Sequence, residues 1–296
     1  MRSEVKYRGR FAPSPTGELH FGSMIAAVAS YSDARKNGGE WLLRIEDIDP
    51  QREQPGAKES IVKTLERYGF EWDGSVQYQS SVLEHINYVI DDLKNKGFAY
   101  DCGCSRKDIS AISPARTEAG FIYPGTCRNG LAQGKSARSV RLKTEAQDYL
   151  INDLIQKQTT QNIAEISGDY IIRRVDGLPA YNIAVVADDI DSGITHVVRG
   201  YDLFFCTAMQ IRLYELLGSE IPLFAHFPLA THENGDKLSK QTHAPPVSLD
   251  NIVETIYNSL IFLGQNPPEE VKRGSVAEIW QWAFEYWDIS KVSAEK

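Results

Sequence analysis

Two polar words far apart in the chain carry the residue types that handle a nucleotide phosphate. The first is Phe11-Ala12-Pro13-Ser14-Pro15-Thr16-Gly17-Glu18-Leu19-His20-Phe21-Gly22-Ser23, where a strand-like stretch meets a Pro/Gly turn and a helical pattern opens at His20 and Gly22. Helix N-termini attract phosphate through unpaired N–H groups and the helix dipole. A glycine there lets a nucleotide approach the backbone closely. A histidine can donate to phosphate oxygens whose charge grows during transfer. The second word is Asp236-Lys237-Leu238-Ser239-Lys240-Gln241, a polar loop after Gly235. Two lysines three apart in such a loop can clamp a triphosphate as mobile point charges. Alone, each word is better read as an ordinary solvated turn or helix start. Together they point to ATP.

Two further groups invite chemistry. Arg44-Ile45-Glu46-Asp47-Ile48-Asp49 closes an apolar strand, and the carboxyl ends of parallel strands are where α/β proteins bind ligands. The alternative is an ion-pair network at a strand end, and Asp47 and Asp49 suit that role. Cys102, Cys104 and Cys127 offer three thiolates, one short of a closed tetrahedral zinc site, and no histidine lies between residues 86 and 195. From spacing alone, zinc and three reduced thiols are evenly matched. Cys206 sits in an apolar run and needs no special account.

The elements that must position these groups alternate. A strand over 7–12, a helix over 19–36, a strand at 41–45 and helices at 56–68 and about 83–96 imply a parallel α/β sheet. Residues 101–137 are rich in Gly, Ser, Pro, Arg and Cys, with β-like runs following at 138–142 and 169–175. The pattern predicts strands at Ile183–Ala187 and Thr195–Arg199, a helix over 203–217, and helices at about 248–263 and 275–287. Residues 101–180 read as an insertion into a nucleotide-binding domain.

The two words resemble the HIGH and KMSKS signatures of class I aminoacyl-tRNA synthetases, here His-Phe-Gly-Ser and Lys-Leu-Ser-Lys-Gln. The segments Arg10–Gly17, Arg44–Asp49 and Gly193-Ile194-Thr195-His196-Val197-Val198-Arg199-Gly200 narrow the likeness to the glutamyl group. Four ordered motifs over some 230 residues carry it. The resemblance implies a Rossmann-like catalytic domain split into 1–100 and 181–241, an inserted zinc-bearing acceptor-binding region at 101–180, and a helical stem-contact region at 242–296. It places Arg10 and Arg199 over the carboxylates of L-glutamate, Glu46 on the ammonium and Tyr181 as a hydroxyl donor, otherwise a core aromatic. Phe11, Ala12, Pro13 and Ser14 line the same pocket. His20, Gly22, Ser23 and Lys240 bind ATP, with Mg²⁺ accompanying it, and His20, Lys237 and Lys240 stabilise developing phosphate charge. It also moves the cysteines to a structural Zn²⁺, one per chain, with Tyr123 as fourth ligand.

Cys-x-Cys followed by Tyr-x₃-Cys, in a chain that stops 55 residues after Gln241, resembles the glutamyl-queuosine tRNA(Asp) synthetases. Glutamate would then go to queuosine at the wobble position of tRNA(Asp). The competing expectations are a truncated conventional glutamyl-tRNA synthetase and a non-catalytic zinc-bearing RNA-binding module. Arg106, Lys107, Arg128, Lys135, Arg138, Arg141 and Lys143 would face RNA phosphates or form a solvated surface.

Composition limits the class without naming a function. The 296 residues are 42% hydrophobic and 24% charged, as in ordinary globular chains. No run of 18 apolar residues and no signal-like h-region occur, so the expectation is a cytoplasmic protein with no membrane partner, expected to be a monomer. A net charge of −8 does not exclude RNA, because phosphate binding depends on a local basic face.

Overall fold

The structure, a computed structural model, describes residues 6–229 and 245–295. In the first part, β1 (Arg8–Phe11), α1 (Phe21–Lys36), β2 (Glu40–Ile45), α2 (Ala57–Arg67) and β3 (Gln77–Tyr78) precede α3 (Leu83–Asn95). Strands β1, β2 and β3 pair in parallel, with Arg10 opposite Leu42 and Arg44 opposite Gln77. Parallel neighbours need a crossover, and α1 supplies the first.

The middle runs β4 (Ala99–Cys102), α4 (Arg106–Ile112), a hairpin of β5 (Arg116–Thr117) and β6 (Gly120–Phe121), then β7 (Ser139–Leu142), β8 (Asp148–Asp153), β9 (Lys157–Asn162), α5 (Ile163–Ile166) and β10 (Ile171–Arg173). There follow α6 (Tyr181–Asp191), β11 (His196–Gly200), α7 (Thr207–Leu217), β12 (Leu223–Phe227), α8 (Ile252–Phe262), α9 (Glu269–Lys272) and α10 (Val276–Tyr286). Strand β11 pairs in parallel with β12, and β12 with β8. The two parallel sheets meet where Thr195 N–H donates to the Arg8 carbonyl at 2.9 Å.

Two expectations change. Ile183–Ala187 lies inside helix α6 rather than a strand. A short β-branched run cannot be assigned by periodicity alone, and this one is buried throughout, from Ile183 to Asp189. Packing against α3 and α7 outweighs the β propensity of Ile and Val. The span 101–180 is also two things at once. Strands β4, β7 and β10 form a separate antiparallel sheet, whereas β8 and β9 extend the central sheet through β12.

Helix α1 is buried along most of its length and lies between the first sheet and helices α8 and α10. The C-terminal helices therefore complete the core around Trp41, Leu65, Leu260 and Trp280. Their junction with α2 is tight. Gly69 holds φ +74°, and a Cβ there would come within 2.7 Å of Val276 Cγ1. Trp280 donates its indole N–H to the Tyr68 carbonyl at 2.9 Å. Among the described residues no helix is long and apolar enough to cross a membrane.

Trp280 is 4% exposed, so Trp280→Ala should destabilise the fold by about 3–5 kcal/mol. Denaturant unfolding measures this. A loss under about 1 kcal/mol would show that α10 is an appendage rather than part of the core.

Candidate active site

The carboxyl ends of β1, β2, β11 and β12 and the first turns of α1 and α6 border one cavity of about 340 Å³. Its lining includes Arg10, Phe11, Ala12, Pro13, Ser14, His20, Gly22, Ser23, Glu46, Tyr181 and Arg199. Of the residues expected to handle ligands, Lys237 and Lys240 fall outside the described residues. The chain on either side of that segment reaches the site. Leu229 lines the cavity, and Pro246 forms a β-bridge with His20. Thr16, Arg52, Asp202 and Phe227 also line it, and sequence reasoning had not singled them out.

Local geometry explains why the Pro/Gly word ends here. Glu46 N–H donates to the Pro13 carbonyl at 3.0 Å, fastening the turn to the end of β2. His20 caps α1, its Nδ1 accepting the Ser23 N–H at 3.3 Å. A ring nitrogen that accepts has no proton, so the neutral ring carries its proton on Nε2.

Charge in the floor of the cavity is dense and buried. Arg44 donates to Asp189 at 2.7 Å and to Glu46 at 3.3 Å, and its Nε lies 3.6 Å from Asp188. Arg10 donates Nε–H and Nη2–H to the same Asp189 at 3.2 Å. Burial works to raise the Asp189 pKa, but Arg10 and Arg44 outweigh it and hold the carboxyl below its usual range. Glu46 shows the opposite balance. Burial lifts its pKa despite Arg44 and Arg10, with Asp189 adding repulsion. A second cation beside Glu46 would relieve that penalty. Asp47 accepts from Lys58 and Ser80 and Asp49 from Arg174, as structural groups, while Glu46 faces the cavity. Tyr181 keeps its phenol protonated, its pKa raised by burial of the hydroxyl end against the opposing pull of Arg199.

Arg199 is held differently. Its Nε–H donates to His226 Nε2 at 2.8 Å, Nη1–H to Gln210 Oε1 at 2.7 Å and Nη2–H to Thr207 Oγ1 at 3.1 Å. Sequence reasoning missed His226 and Asp189. The available signals were a histidine inside the apolar strand Leu223–Phe227 and two aspartates ending the run Ile183–Ala187.

The cysteines converge in a second place. The sulfurs of Cys102, Cys104 and Cys127 lie within 4.8 Å of one another, a group that could hold a metal ion. Tyr123 Oη sits 3.3 Å from Cys102 Sγ and 3.5 Å from Cys104 Sγ, and Cys104 and Cys127 sulfurs are 3.6 Å apart. A tetrahedron built on zinc–ligand bonds of ordinary length has S···S edges of about 3.8 Å and S···O edges of about 3.5 Å. The donor set fits such an ion in type and spacing. Arg141 stacks 3.8 Å from the Tyr123 ring centroid and donates to Cys102 Sγ.

Three of the basic residues expected on an RNA face are thereby committed elsewhere: Arg141 here, Arg128 to Asp169 and Lys135 to Asp108. Arg106, Lys107 and Arg138, with Arg141 beside them, line a cavity of about 690 Å³. A third cavity shares Tyr181 with the first and Arg106 and Arg141 with the second, so that the three lie next to one another along a cleft.

A family model described as tRNA synthetases class I (E and Q), catalytic domain, matches residues 6–265. The chain is 48% identical over 287 residues to a glutamyl-Q tRNA(Asp) synthetase of Dechloromonas aromatica, covering 97% of this chain and 95% of that one. It is 45% identical over 292 residues to one of Chromobacterium violaceum, covering 99% and 97%. Among solved structures, a glutamate-tRNA synthetase from Elizabethkingia anophelis superimposes with TM-score 0.81 at 27% identity, covering 98% of this chain and 68% of that one.

The cysteine geometry carries its own test. The purified protein is expected to hold a tightly bound metal ion, and Cys127→Ser to lose it, by elemental analysis. Tyr123→Phe should leave the fold intact but speed metal loss to a chelator. Full retention in Cys127→Ser would remove this thiol from the ligand set.

Proposed function

The chain belongs to the class I tRNA synthetases of the E and Q group, and from that premise we propose that it activates L-glutamate with ATP and transfers it to queuosine of tRNA(Asp). The observation that carries the first half is the cavity itself. Two guanidiniums and one buried carboxylate short of cationic partners border about 340 Å³, complementary to two carboxylates and one ammonium. Arg10 and Arg199 take the carboxylates, Glu46 the ammonium, and Tyr181 and Ser14 add hydroxyls. Phe11, Ala12 and Pro13 wall the pocket.

One glutamate carboxylate oxygen attacks the α-phosphorus of ATP, the bond to pyrophosphate breaks, and glutamyl-AMP results. No protein nucleophile is needed, so catalysis is positioning and charge stabilisation. His20, with its proton on Nε2, donates to the phosphates beside the first turn of α1 at Gly22 and Ser23. Lys237 and Lys240 clamp the triphosphate as the charge develops, and Mg²⁺ accompanies ATP. A queuosine hydroxyl then attacks the acyl carbon and AMP leaves.

For the acceptor, the names of the relatives and the basic cleft support the same reading. The cleft leads from Tyr181 past Arg106 to Arg138, a path suited to a single-stranded loop whose target base enters the cavity. Zn²⁺ bound by Cys102, Cys104, Tyr123 and Cys127 would hold the base of that cleft as a structural ion.

Glu46→Gln should raise the glutamate KM by about one to two decades and leave the ATP KM nearly unchanged, since a charge-assisted contact contributes roughly 1.5–3 kcal/mol. Glutamate-dependent ATP–pyrophosphate exchange without RNA measures both. Parallel losses for ATP and glutamate would make Glu46 a structural group.

The acceptor is tested with tRNA(Asp) carrying queuosine or guanosine at the wobble position, each with and without its 3′-terminal adenosine. Only the queuosine forms should accept glutamate, with or without the terminal nucleotide. Transfer should also weaken with added salt, by about 0.7 in logarithmic slope per phosphate contact, while exchange changes little. Charging that needs the 3′ nucleotide and ignores the modified base would establish a conventional synthetase instead.

A further inference from the structure

The two arginines that face the cavity are fastened in chemically different ways. Arg10 is paired directly with the ionised carboxylate of Asp189. Among the described residues the hydrogen-bond partners of Arg199 are all uncharged: His226, Gln210, Thr207 and the Leu203 carbonyl. Its aspartate stands one residue further back. His226 Nδ1 lies 2.6 Å from Asp153 Oδ2, and both side chains are fully buried.

The order of donors in this chain is forced. A guanidinium only donates, so His226 Nε2 must accept, and the imidazole proton must sit on Nδ1, where Asp153 receives it. Asp153 is itself fixed, its Oδ1 accepting backbone N–H groups of Ile155, Gln156 and His226 at 2.9, 2.8 and 3.2 Å. Arg199 and His226 are register partners on β11 and β12, so the sheet places the two side chains side by side. Phe204 and Phe224 pack on the imidazole and hold its plane. Burial keeps the ring neutral, its pKa down at about 4.

We infer that Asp153 and His226 are positioning residues that lock Arg199 in the orientation that receives a glutamate carboxylate while leaving its charge directed at the ligand. A carboxylate in direct contact would fix the fork equally well but would compete with the substrate for it. A neutral imidazole supplies the geometry without the competing charge. The aspartate, one ring away, sets the tautomer. This inference rests on the reading of the cavity as a glutamate site.

The test separates the relay from a general structural role. In Asp153→Asn the three backbone N–H groups keep the amide oxygen at Oδ1, so the amide N–H₂ faces His226 Nδ1. The ring proton must then move to Nε2, which opposes the Nε–H of Arg199. The glutamate KM in ATP–pyrophosphate exchange should rise about tenfold or more, while the ATP KM stays within about twofold. His226→Gln retains an acceptor near the Nε2 position and should keep a glutamate KM close to the unaltered protein. His226→Asn retains only the contact to Asp153 and should resemble Asp153→Asn. Thermal unfolding confirms that the compared variants are folded. Equal glutamate KM values for His226→Gln and His226→Asn, or parallel rises for glutamate and ATP, would overturn the relay. If Asp153→Asn fails to fold, the Gln–Asn pair decides alone. Absence of glutamate-dependent exchange in the unaltered protein overturns the substrate reading and the relay with it; exchange there with unchanged variants overturns the relay only.

Discussion

One carboxylate joins the two halves of the molecule. Asp189 is 2% exposed and accepts from Arg10 on β1 and Arg44 on β2, while belonging to α6. Both guanidiniums are buried, and a buried charge is tolerated only when it is paired and hydrogen-bonded. Remove Asp189 and two cations face one another, Arg10 and Arg44, in the floor of the cavity. Breaking a buried pair of this kind commonly costs about 3–5 kcal/mol. The same contact fixes the C-terminal end of α6, the helix whose first residue, Tyr181, lines the cavity with Arg10 and Glu46. Fold and site share this constraint.

The network is also unbalanced in a useful direction. Around Arg10 and Arg44 stand Asp189, Asp188 and Glu46, one anion more than the cations beside them. The surplus is felt at Asp188 and Glu46, whose pKa values are raised, by burial in the first place. Asp188 has a hydrogen bond from Gln79 to ease it. Glu46 faces the cavity, so the relief it lacks can come from a bound ammonium. Across the cavity Arg199 presents the reverse, a cation whose hydrogen-bond partners among the described residues are neutral. The site is polarised before any ligand arrives.

Sequence made the cavity's rim legible but not its foundation. Arg10, His20, Glu46, Tyr181 and Arg199 could be picked out because motif words kept them in recognisable surroundings. Asp189 could not, because it follows an apolar run that reads as a strand, and its partners lie 179 and 145 residues away. His226 was hidden for a related reason. A lone histidine in an apolar strand has no local pattern, and its meaning comes from register with Arg199 across the sheet. The segments that form β8 and β9 fall inside the span 101–180 that reads as an insertion and show no strand pattern of their own; only pairing through β12 shows that they extend the central sheet. Local periodicity carried α2, α3, α8 and α10 well, since each buries one face, whereas α1, whose spacing reads as amphipathic, is buried on nearly all sides between the first sheet and α8 and α10. What failed to show were the contacts that no motif word carries: those of Asp189, His226 and β8 with distant segments.

The cysteine node and the basic cleft are linked by the same kind of long-range logic. Cys104 directly precedes Ser105, the N-cap of α4, where Ser105 and Asp108 form a reciprocal capping box. That cap fixes where Arg106 and Lys107 leave the backbone, and both line the cleft. Arg141 closes the other side, stacked on Tyr123 and hydrogen-bonded to Cys102 and to the Asp169 carbonyl. The sheet of β4, β7 and β10 is three strands wide; one face joins the large core through Ala99, Val140, Leu142 and Ile172, and the other carries only a small cluster around Tyr100, Cys102 and Ile109. A cluster of that size is a weak anchor for a charged surface that must hold its shape against the repulsion of Arg106, Lys107 and Arg138. Four ligand atoms gathered on one ion would supply the missing rigidity where apolar burial cannot, because ion binding contributes folding free energy directly. An ion bound there would act mechanically: held through Cys104, it would fix the start of α4, whose Arg106 and Lys107 line the neighbouring cavity.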